Sequence, residues 1–212
     1  MDALMLFELI YLNGTWLFLS EGTPWHCYSF DGVGRVVFKS IDVDPLRGDF
    51  SFSFNTEASS GLIYYAGDLK NDYEGIFLRD GRLSYFIFNP DKSGHGSTSS
   101  EANGFEATTV RKLNDGQRHQ VDFYRNKLIN GKHTTGLVVD GELVYKDSRI
   151  RDHLSIRSPY YIGGVPASLG VGVPPFTGQI RMFKERFSST GFEHPDEEIN
   201  VKRCESIVNY YF

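Results

Sequence analysis

The sequence predicts an all-β protein built as a sandwich or a barrel. Aromatic and turn residues are abundant, with 17 Phe, 12 Tyr and 22 Gly among 212 residues, and this combination favours many short strands. Turn signals recur about every ten residues, which is typical of sandwiches and barrels. No long amphipathic helix interrupts them. A chain of this length can bury its own core as a single domain.

The most regular stretch contains three consecutive strands. An apolar strand over 62–66 is followed by a polar connector and by strands over 73–78 and 83–88. The last two flank Asp80-Gly81, a dipeptide that adopts the positive φ angles of a tight hairpin turn. The strands over 73–78 and 83–88 are the best-defined hairpin of the chain.

Strict alternation predicts another strand over residues 49–55. Its three phenylalanines, Phe50, Phe52 and Phe54, point to one side, and serines point to the other. Further strands are expected where apolar runs lie between turn residues. These strands are predicted at 35–38, 108–113, 117–125, 136–139, 142–145, 159–164 and 176–183.

The remaining segments are an expected loop and an N-terminal stretch that lies outside the assigned domain. Residues 89–104 are rich in Ser, Gly and Asn and predict an exposed loop. We assign residues 25–212 to one domain. Residues 1–24 carry Asp2 and Glu8 and lack the basic start of a signal peptide, so they make a poor one. We interpret them as an N-terminal leader or strand.

Charge and cysteine content restrict the class of partner. The net charge is −5, so there is no global basic field, and we expect neither a nucleic-acid partner nor membrane insertion. Cys27 and Cys204 would form a bridge in a secreted protein and stay as buried thiols in a cytosolic one. The sequon at Asn13 predicts N-glycosylation and favours secretion.

Eight short motifs, taken in their order, resemble the laminin G-like domain of laminin α chains, neurexins, agrin and perlecan. They are FDG (30–32), FSFSFNT (50–56), GLIYY (61–65), LRDGRL (78–83), NDGQRH (114–119), VDG (139–141), YIGGVP (161–166) and FTGQI (176–180). The resemblance implies a two-sheet antiparallel β-sandwich, or jelly roll. It also implies a secreted or cell-surface adhesion module that is not an enzyme and whose rim loops bind an extracellular receptor or an acidic glycan.

The same resemblance implies a calcium site at the rim. The carboxylate position falls on Asp72, and a backbone carbonyl position falls on Asn89. A second carbonyl and a second side chain fall on His153 and Ser155. These oxygen ligands suit Ca²⁺, but a serine in place of a second carboxylate predicts weak binding. Asp152 would serve instead if the loop were longer, and the alternative is that Asp72 is only a solvated strand-start residue.

Five basic residues in the second half of the chain are candidates for the glycan contact, because Lys and Arg pair well with anionic oxygens. They are Lys127, Lys132, Arg149, Arg151 and Arg157. The alternative is a solvated surface. The triplet Arg47-Gly48-Asp49 spells an integrin-recognition sequence, but Asp49 adjoins the strand at 49–55, and we interpret the triplet as a coincidence.

The family often has a cysteine at the position of Gln179, paired with one near the end of the domain. Here Cys204 is retained and Cys27 is the other cysteine, so we predict a Cys27–Cys204 bridge, because sandwich termini often lie close together. The alternative is that each pairs with a neighbouring domain.

Two other functions are compatible with a β-sandwich, namely glycoside hydrolysis and the transport of a small molecule. A sandwich glycoside hydrolase would need a pair of carboxylates across a groove. A steroid-like small-molecule carrier would need an apolar pocket between the sheets. His119, the candidate acid or base of the chain, is interpreted as a residue that packs or hydrogen-bonds at a strand start.

Overall fold

A computed structural model describes residues 8–12, 15–19, 27–67, 72–90, 96–97, 105–148, 154–188 and 191–204. Apart from one 3-10 turn at Ala167–Leu169, the regular structure in these residues consists of strands. The strands are β1 (Glu8–Leu12), β2 (Thr15–Leu19), β3 (Cys27–Asp31), β4 (Arg35–Phe38), β5 (Gly48–Asn55), β6 (Gly61–Gly67), β7 (Tyr73–Arg79), β8 (Arg82–Pro90), β9 (Gly96–Ser97), β10 (Phe105–Thr108), β11 (His119–Ile129), β12 (Lys132–Val139), β13 (Glu142–Asp147), β14 (Tyr160–Ile162), β15 (Thr177–Glu185), β16 (Glu197–Ile199) and β17 (Lys202–Arg203).

The strands form two large antiparallel sheets, which confirms the predicted β-sandwich. One sheet has the order β10-β8-β7-β6-β14-β4-β16, with β9 also paired to β8. The other has the order β13-β12-β11-β5-β15-β3-β17. β1 and β2 pair with each other in a separate two-stranded sheet, so residues 8–19 add no strand to either large sheet.

Aromatic rings fill the space between the two sheets. The three phenylalanines of β5 face inward and are fully buried, as the alternation predicted. Phe50 stacks on Phe123 of β11 at 4.7 Å between centroids, and Phe52 stacks on Phe183 of β15 at 5.4 Å. Tyr64 of the other sheet reaches Phe183 at 5.3 Å. A small-molecule carrier would need an open apolar cavity between the sheets, but these aromatic rings fill that space.

A second apolar cluster covers part of the outer face of the β6–β7–β8 sheet. Leu62, Tyr65, Phe77 and Phe86 are buried there. The segment before β15 lies over them and contributes half-buried residues, which are Val165, Leu169, Val171 and Val173. The sandwich is therefore packed on both faces of this sheet over that area.

Some predicted boundaries are wrong. The strand expected at 108–113 ends at Thr108 and begins at Phe105. Its end is fixed by Thr109, whose hydroxyl accepts the Leu83 N–H at 3.1 Å and whose own N–H donates to the Leu83 carbonyl at 2.9 Å. Val110 then turns outward and is 92% exposed. Of the loop expected at 89–104, residues 89–90 extend β8 and 96–97 form β9.

Candidate functional site

One end of the sandwich gathers loops from both sheets, and we call it the rim. It comprises residues 41–47, Asp72, residues 154–158 and residues 186–188. The Ile156 N–H donates to the Pro45 carbonyl at 2.9 Å, which ties the loop before β14 to the loop before β5. Because β14 and β5 belong to different sheets, this hydrogen bond closes the rim across the sandwich.

Asp72 lies directly before β7 and is buried at the rim. Its Oδ2 accepts a hydrogen bond from the Ser155 backbone N–H at 2.5 Å. Asn89 follows Phe88, which pairs with Tyr73, so the end of β8 reaches the same edge of the sheet as Asp72. The structure thus joins Asp72 to Ser155 and brings the end of β8 to the same edge of the sheet. His153, the fourth position in the calcium prediction, lies outside the described residues.

The donor set of this edge is rich in oxygen but poor in negative charge. Asp72 supplies a carboxylate, and the Ser155 hydroxyl accepts a hydrogen bond from Nε of Arg157 at 3.1 Å. A guanidinium therefore lies beside the position where a cation would bind. Among the described residues, no group of three or more His, Cys, Asp and Glu side chains could hold a metal. These residues fit a calcium site of low affinity, in the range of weak extracellular modules.

Beneath the rim, Glu74 of β7 and Arg125 of β11 form an ion pair between the sheets, and both side chains are fully buried. Tyr64 and Tyr85 donate hydroxyl hydrogen bonds to the Glu74 carboxylate at 2.7 and 3.1 Å. Arg125 also donates from Nη2 to the Asp44 carbonyl at 3.1 Å. The pair therefore fastens the rim loop at 41–47 to the core.

Burial and neighbouring charges shift the pKa values of Arg125 and Tyr64 in this network. Burial acts to lower the pKa of Arg125, but the Glu74 carboxylate together with Tyr64, Tyr160 and Tyr85 outweighs burial and raises that pKa. Burial raises the pKa of Tyr64 well above its usual value, and the neighbouring Glu74 adds to the effect. Sequence reasoning missed this network. Its signal was Glu74 on the same strand face as the apolar Ile76 and Leu78.

The candidate basic residues differ in how far their charge is already matched. Nζ of Lys127 donates to Oδ2 of Asp49 at 2.7 Å, so its charge is neutralised locally. Lys132, at the start of β12, and Arg157, at the rim, are exposed. Arg149 and Arg151 lie outside the described residues, as does the sequon residue Asn13. Lys132 and Arg157 are the described members of the set with outward-facing charge.

The Arg47-Gly48-Asp49 triplet cannot present its carboxylate to a receptor. Asp49 is only 1% exposed, because it lies within β5 and its Oδ1 accepts a hydrogen bond from Nη1 of Arg186 at 2.8 Å. Lys127 binds its other oxygen. The structure supports the interpretation of the triplet as a coincidence.

His119 lies at the end of the sandwich opposite the rim and has a structural role. Its Nδ1 is 2.8 Å from Oδ2 of Asp140, and its Nε2 is 3.0 Å from Oδ1 of Asp115. Its ring packs on Phe54 at 5.6 Å between centroids. Both ring nitrogens and one face are thus engaged, as expected for a residue that packs and hydrogen-bonds at a strand start.

The two cysteines form the predicted disulfide. Cys27 and Cys204 are bonded, with their Cα atoms 5.3 Å apart. The Cys204 N–H also donates to the Cys27 carbonyl at 3.0 Å, next to the short β3–β17 ladder. The bridge therefore joins the start of the sandwich to its last described strand.

Comparison with known proteins identifies the family. The profile of the laminin G domain matches residues 54–184, more than half of the chain. The chain belongs to the laminin G domain family. Laminin G domains are non-catalytic binding modules of extracellular proteins.

Sequence relatives of this laminin G domain are much longer proteins. It is 29% identical over 195 residues to laminin subunit alpha of Drosophila melanogaster, a match that covers 85% of the chain and 5% of the relative. It is 33% identical over 146 residues to laminin subunit alpha-4 of Mus musculus, covering 66% and 7%. The chain thus spans less than a tenth of the length of these relatives.

Solved structures of laminin domains share the fold. Domains LG4-5 of the mouse laminin α1 chain superpose with a TM-score of 0.64 at 22% identity, covering 84% of this chain and 46% of the other. The LG1-3 region of the laminin α2 chain gives 0.66 at 17% identity, covering 95% and 40%. In the described part of the chain, no helix has the length and apolarity needed to cross a membrane.

Proposed function

We propose that this laminin G domain is an extracellular recognition module that binds an acidic glycan at its rim, in a secreted protein or a cell-surface ectodomain. The hydrogen bond from the Ile156 N–H to the Pro45 carbonyl carries the proposal. It holds loops of both sheets in one fixed arrangement, and a preorganised surface loses little conformational entropy on binding. Adjacent domains of a larger matrix or cell-surface protein would flank the module.

The contacts would come from exposed cations at and near the rim. Arg157 offers a planar guanidinium that can bind two oxygens of a sulfate or carboxylate, and Lys132 offers an ammonium. Arg149 and Arg151 precede Arg157 in the sequence and are further candidates for the contact. Since the chain as a whole carries −5, the attraction is local and is expected to weaken strongly with salt.

We also propose that calcium contributes to this rim. Asp72 and Ser155 would hold the ion together with the carbonyls of Asn89 and His153. When bound, the ion would supply positive charge for an anionic ligand. The single carboxylate and the adjacent Arg157 predict weak binding.

Glycan binding is tested with a fluorescein-labelled heparin octasaccharide, by fluorescence anisotropy at low and physiological salt. We expect Arg157→Glu and Lys132→Glu each to weaken binding by about tenfold, since a cation is replaced by a repelling charge. Lys112→Glu, on the exposed loop at the opposite end, is the matched control and should bind as the wild type does. Equal weakening by all three variants would show a non-specific charge effect and reject the rim as the site.

Calcium binding is tested by thermal melting with increasing CaCl₂, using MgCl₂ as the ionic-strength control. We expect calcium to raise the Tm of the wild type and not that of Asp72→Asn. The asparagine keeps the oxygen that accepts the Ser155 N–H but removes the charge that calcium requires. A wild-type Tm that stays constant at millimolar calcium would reject the ion, while the glycan experiment would remain decisive for the rim itself.

A further inference from the structure

A cleft opens where the loop before β5 meets the ends of β11 and β15. Its volume is about 560 Å³, which lies within the range of roughly 300–1,000 Å³ typical of ligand sites. Its lining is mixed, with Leu128 and Phe187 as the large apolar side chains and with Arg47, Lys127 and three carboxylates as the charged ones. The cleft is part of the rim, because Arg47 and Phe187 line it, but none of its lining residues belongs to the Asp72–Ser155 edge.

The two large apolar side chains of the cleft are exposed on fixed backbone. Leu128 is 60% exposed and pairs with His133 in the β11–β12 ladder. Phe187 is 70% exposed, and its backbone N–H donates to Oε2 of Glu185 at 2.8 Å. Glu185 is itself buried, and its Oε1 accepts the Asp49 N–H at 3.0 Å. Two large apolar side chains are therefore exposed on backbone that hydrogen bonds hold in place.

Most of the charges around the cleft are already matched within the chain. The Glu185 carboxylate accepts hydrogen bonds from the backbone N–H groups of Asp49, Phe187 and Ser188. Oδ1 of Asp44 accepts the Leu46 N–H at 2.9 Å. Lys127 is bound to Asp49, and Asp42 at the mouth also takes part in a polar or electrostatic interaction. These groups shape the cleft and have little capacity left for a ligand.

Arg47 is different. Its backbone is fixed, because the Arg47 N–H donates to the Asp44 carbonyl at 3.1 Å and closes the turn 44–47. Its exposed guanidinium makes no hydrogen bond or ion pair with any described residue. The cleft thus offers one unmatched cation beside two apolar surfaces.

We propose that the cleft binds an extended segment of a protein partner in which a carboxylate side chain adjoins a large apolar side chain. The carboxylate pairs with the Arg47 guanidinium, and the apolar side chain packs between Leu128 and Phe187. A glycan fits the cleft less well. Its many hydroxyl groups need hydrogen-bonding partners, while Asp44, Lys127 and Glu185 in the cleft already bond within the chain.

The experiment uses N-acetyl-aspartyl-phenylalaninamide as the probe and its asparaginyl counterpart as the neutral control. The readout is the amide chemical shifts of the ¹⁵N-labelled domain during titration up to about 10 mM, which detects a Kd near 1 mM. We expect shifts at Gly48, Leu128 and Phe187 with the acidic probe. The neutral probe should bind about tenfold more weakly, because it cannot form the charge-assisted pair.

Two variants and a control separate the parts of the site. Arg47→Gln should reduce binding of the acidic probe by about tenfold and leave the neutral probe unchanged. Phe187→Ser should weaken both probes, because it removes the apolar wall. Lys112→Gln removes an exposed cation at the opposite end and should match the wild type. All are surface changes, and unchanged thermal melting verifies the fold.

Several results would overturn the proposal. They are an absence of shifts at the highest probe concentration, shifts confined to another surface, and equal binding of the acidic probe by wild type and Arg47→Gln. Concentration-dependent shifts of the same amides without a probe would assign the cleft to a second copy of this chain instead. None of these outcomes depends on heparin binding, so the cleft and the glycan proposal stand or fall separately.

Discussion

Glu74 and Arg125 bind each other across the interior of the sandwich, and neither side chain is reached by solvent. The two lie on different sheets, 51 residues apart in sequence. Tyrosine hydroxyls satisfy the carboxylate, and the guanidinium reaches the rim loop through the Asp44 carbonyl. One buried ion pair therefore fixes both the position of the sheets and the loop from which Arg47 projects.

Removing one partner of this pair should be strongly destabilising. In Glu74→Gln the guanidinium stays buried without its counter-charge, and we expect the free energy of unfolding to fall by about 3–5 kcal/mol. Urea unfolding followed by far-UV circular dichroism of the β-sheets measures the change. The double variant Glu74→Gln/Arg125→Met should recover part of the loss. A single variant within about 1 kcal/mol of the wild type would contradict a buried, desolvated pair.

The Cys27–Cys204 bridge should contribute substantially to stability, because it closes a loop with a sequence separation of 177 residues. We expect Cys27→Ser/Cys204→Ser to lower the free energy of unfolding by about 2–5 kcal/mol in guanidinium chloride. Reducing the wild type should give the same loss, whereas the double variant should not respond to the reductant. A reductant effect of equal size in both proteins would refute this contribution.

Asp140 should make the stability pH-dependent in acid. Burial acts to raise the pKa of its carboxyl, but hydrogen bonds from His119, the Gln120 N–H and Arg111 hold that pKa below the ordinary value of 3.8. A carboxyl whose pKa is depressed by folding stabilises the fold above its unfolded pKa. That contribution is lost as the pH falls through the folded pKa.

The measurement is Tm from about pH 5 to about pH 2 for the wild type and Asp140→Asn. Asparagine tolerates the positive φ of 52° at this hairpin position. The wild type should have the higher Tm at pH values above 3.8, the ordinary pKa of an aspartate carboxyl. In stronger acid the two curves should converge. Asp80→Asn is the control, because Asp80 holds the equivalent position in the β7–β8 hairpin, at φ 54°. Its Tm curve should not converge with that of the wild type in this way. Parallel curves for Asp140→Asn would exclude the linkage.

A second carboxylate should strengthen the calcium binding that we propose at the Asp72–Ser155 edge. Ser155→Asp adds the missing charge, and Arg157→Ala, made together with it, removes the guanidinium that binds the Ser155 hydroxyl. We expect the calcium concentration for half-maximal stabilisation to fall at least about tenfold in thermal melting. Ser168→Asp, on the loop before β15, is the control. An unchanged calcium response in the double variant would show that Asp72 and residue 155 do not share an ion.

The elements that sequence reasoning found are those specified locally or by the family pattern. The alternation of Phe50, Phe52 and Phe54 was sufficient to place them in the core, and the DG turns located the hairpins. The strands β16 and β17 were missed because they are three and two residues long, too short for a periodic pattern. Their pairing is imposed by β4 and β3.

The chemistry of the site depends on contacts that no local pattern contains. Glu74 and Arg125 meet only because the two sheets stack in this particular offset. The sequence suggested a role for Asp72, but its acceptance of the Ser155 N–H required the loop before β14 to be in place. Leu128 on β11 and Phe187, just after the end of β15, are 59 residues apart in sequence and line one cleft only through the fold.

The disulfide also has a mechanical consequence. Because it clasps the first strand of the sandwich to the last described strand, a pull applied through the two flanks of residues 27–204 travels through the sulfur–sulfur bond. The hydrogen-bonded ladders between those flanks carry none of that load. Under such a pull, the sandwich between the two cysteines would keep its shape while the chain outside them is stretched.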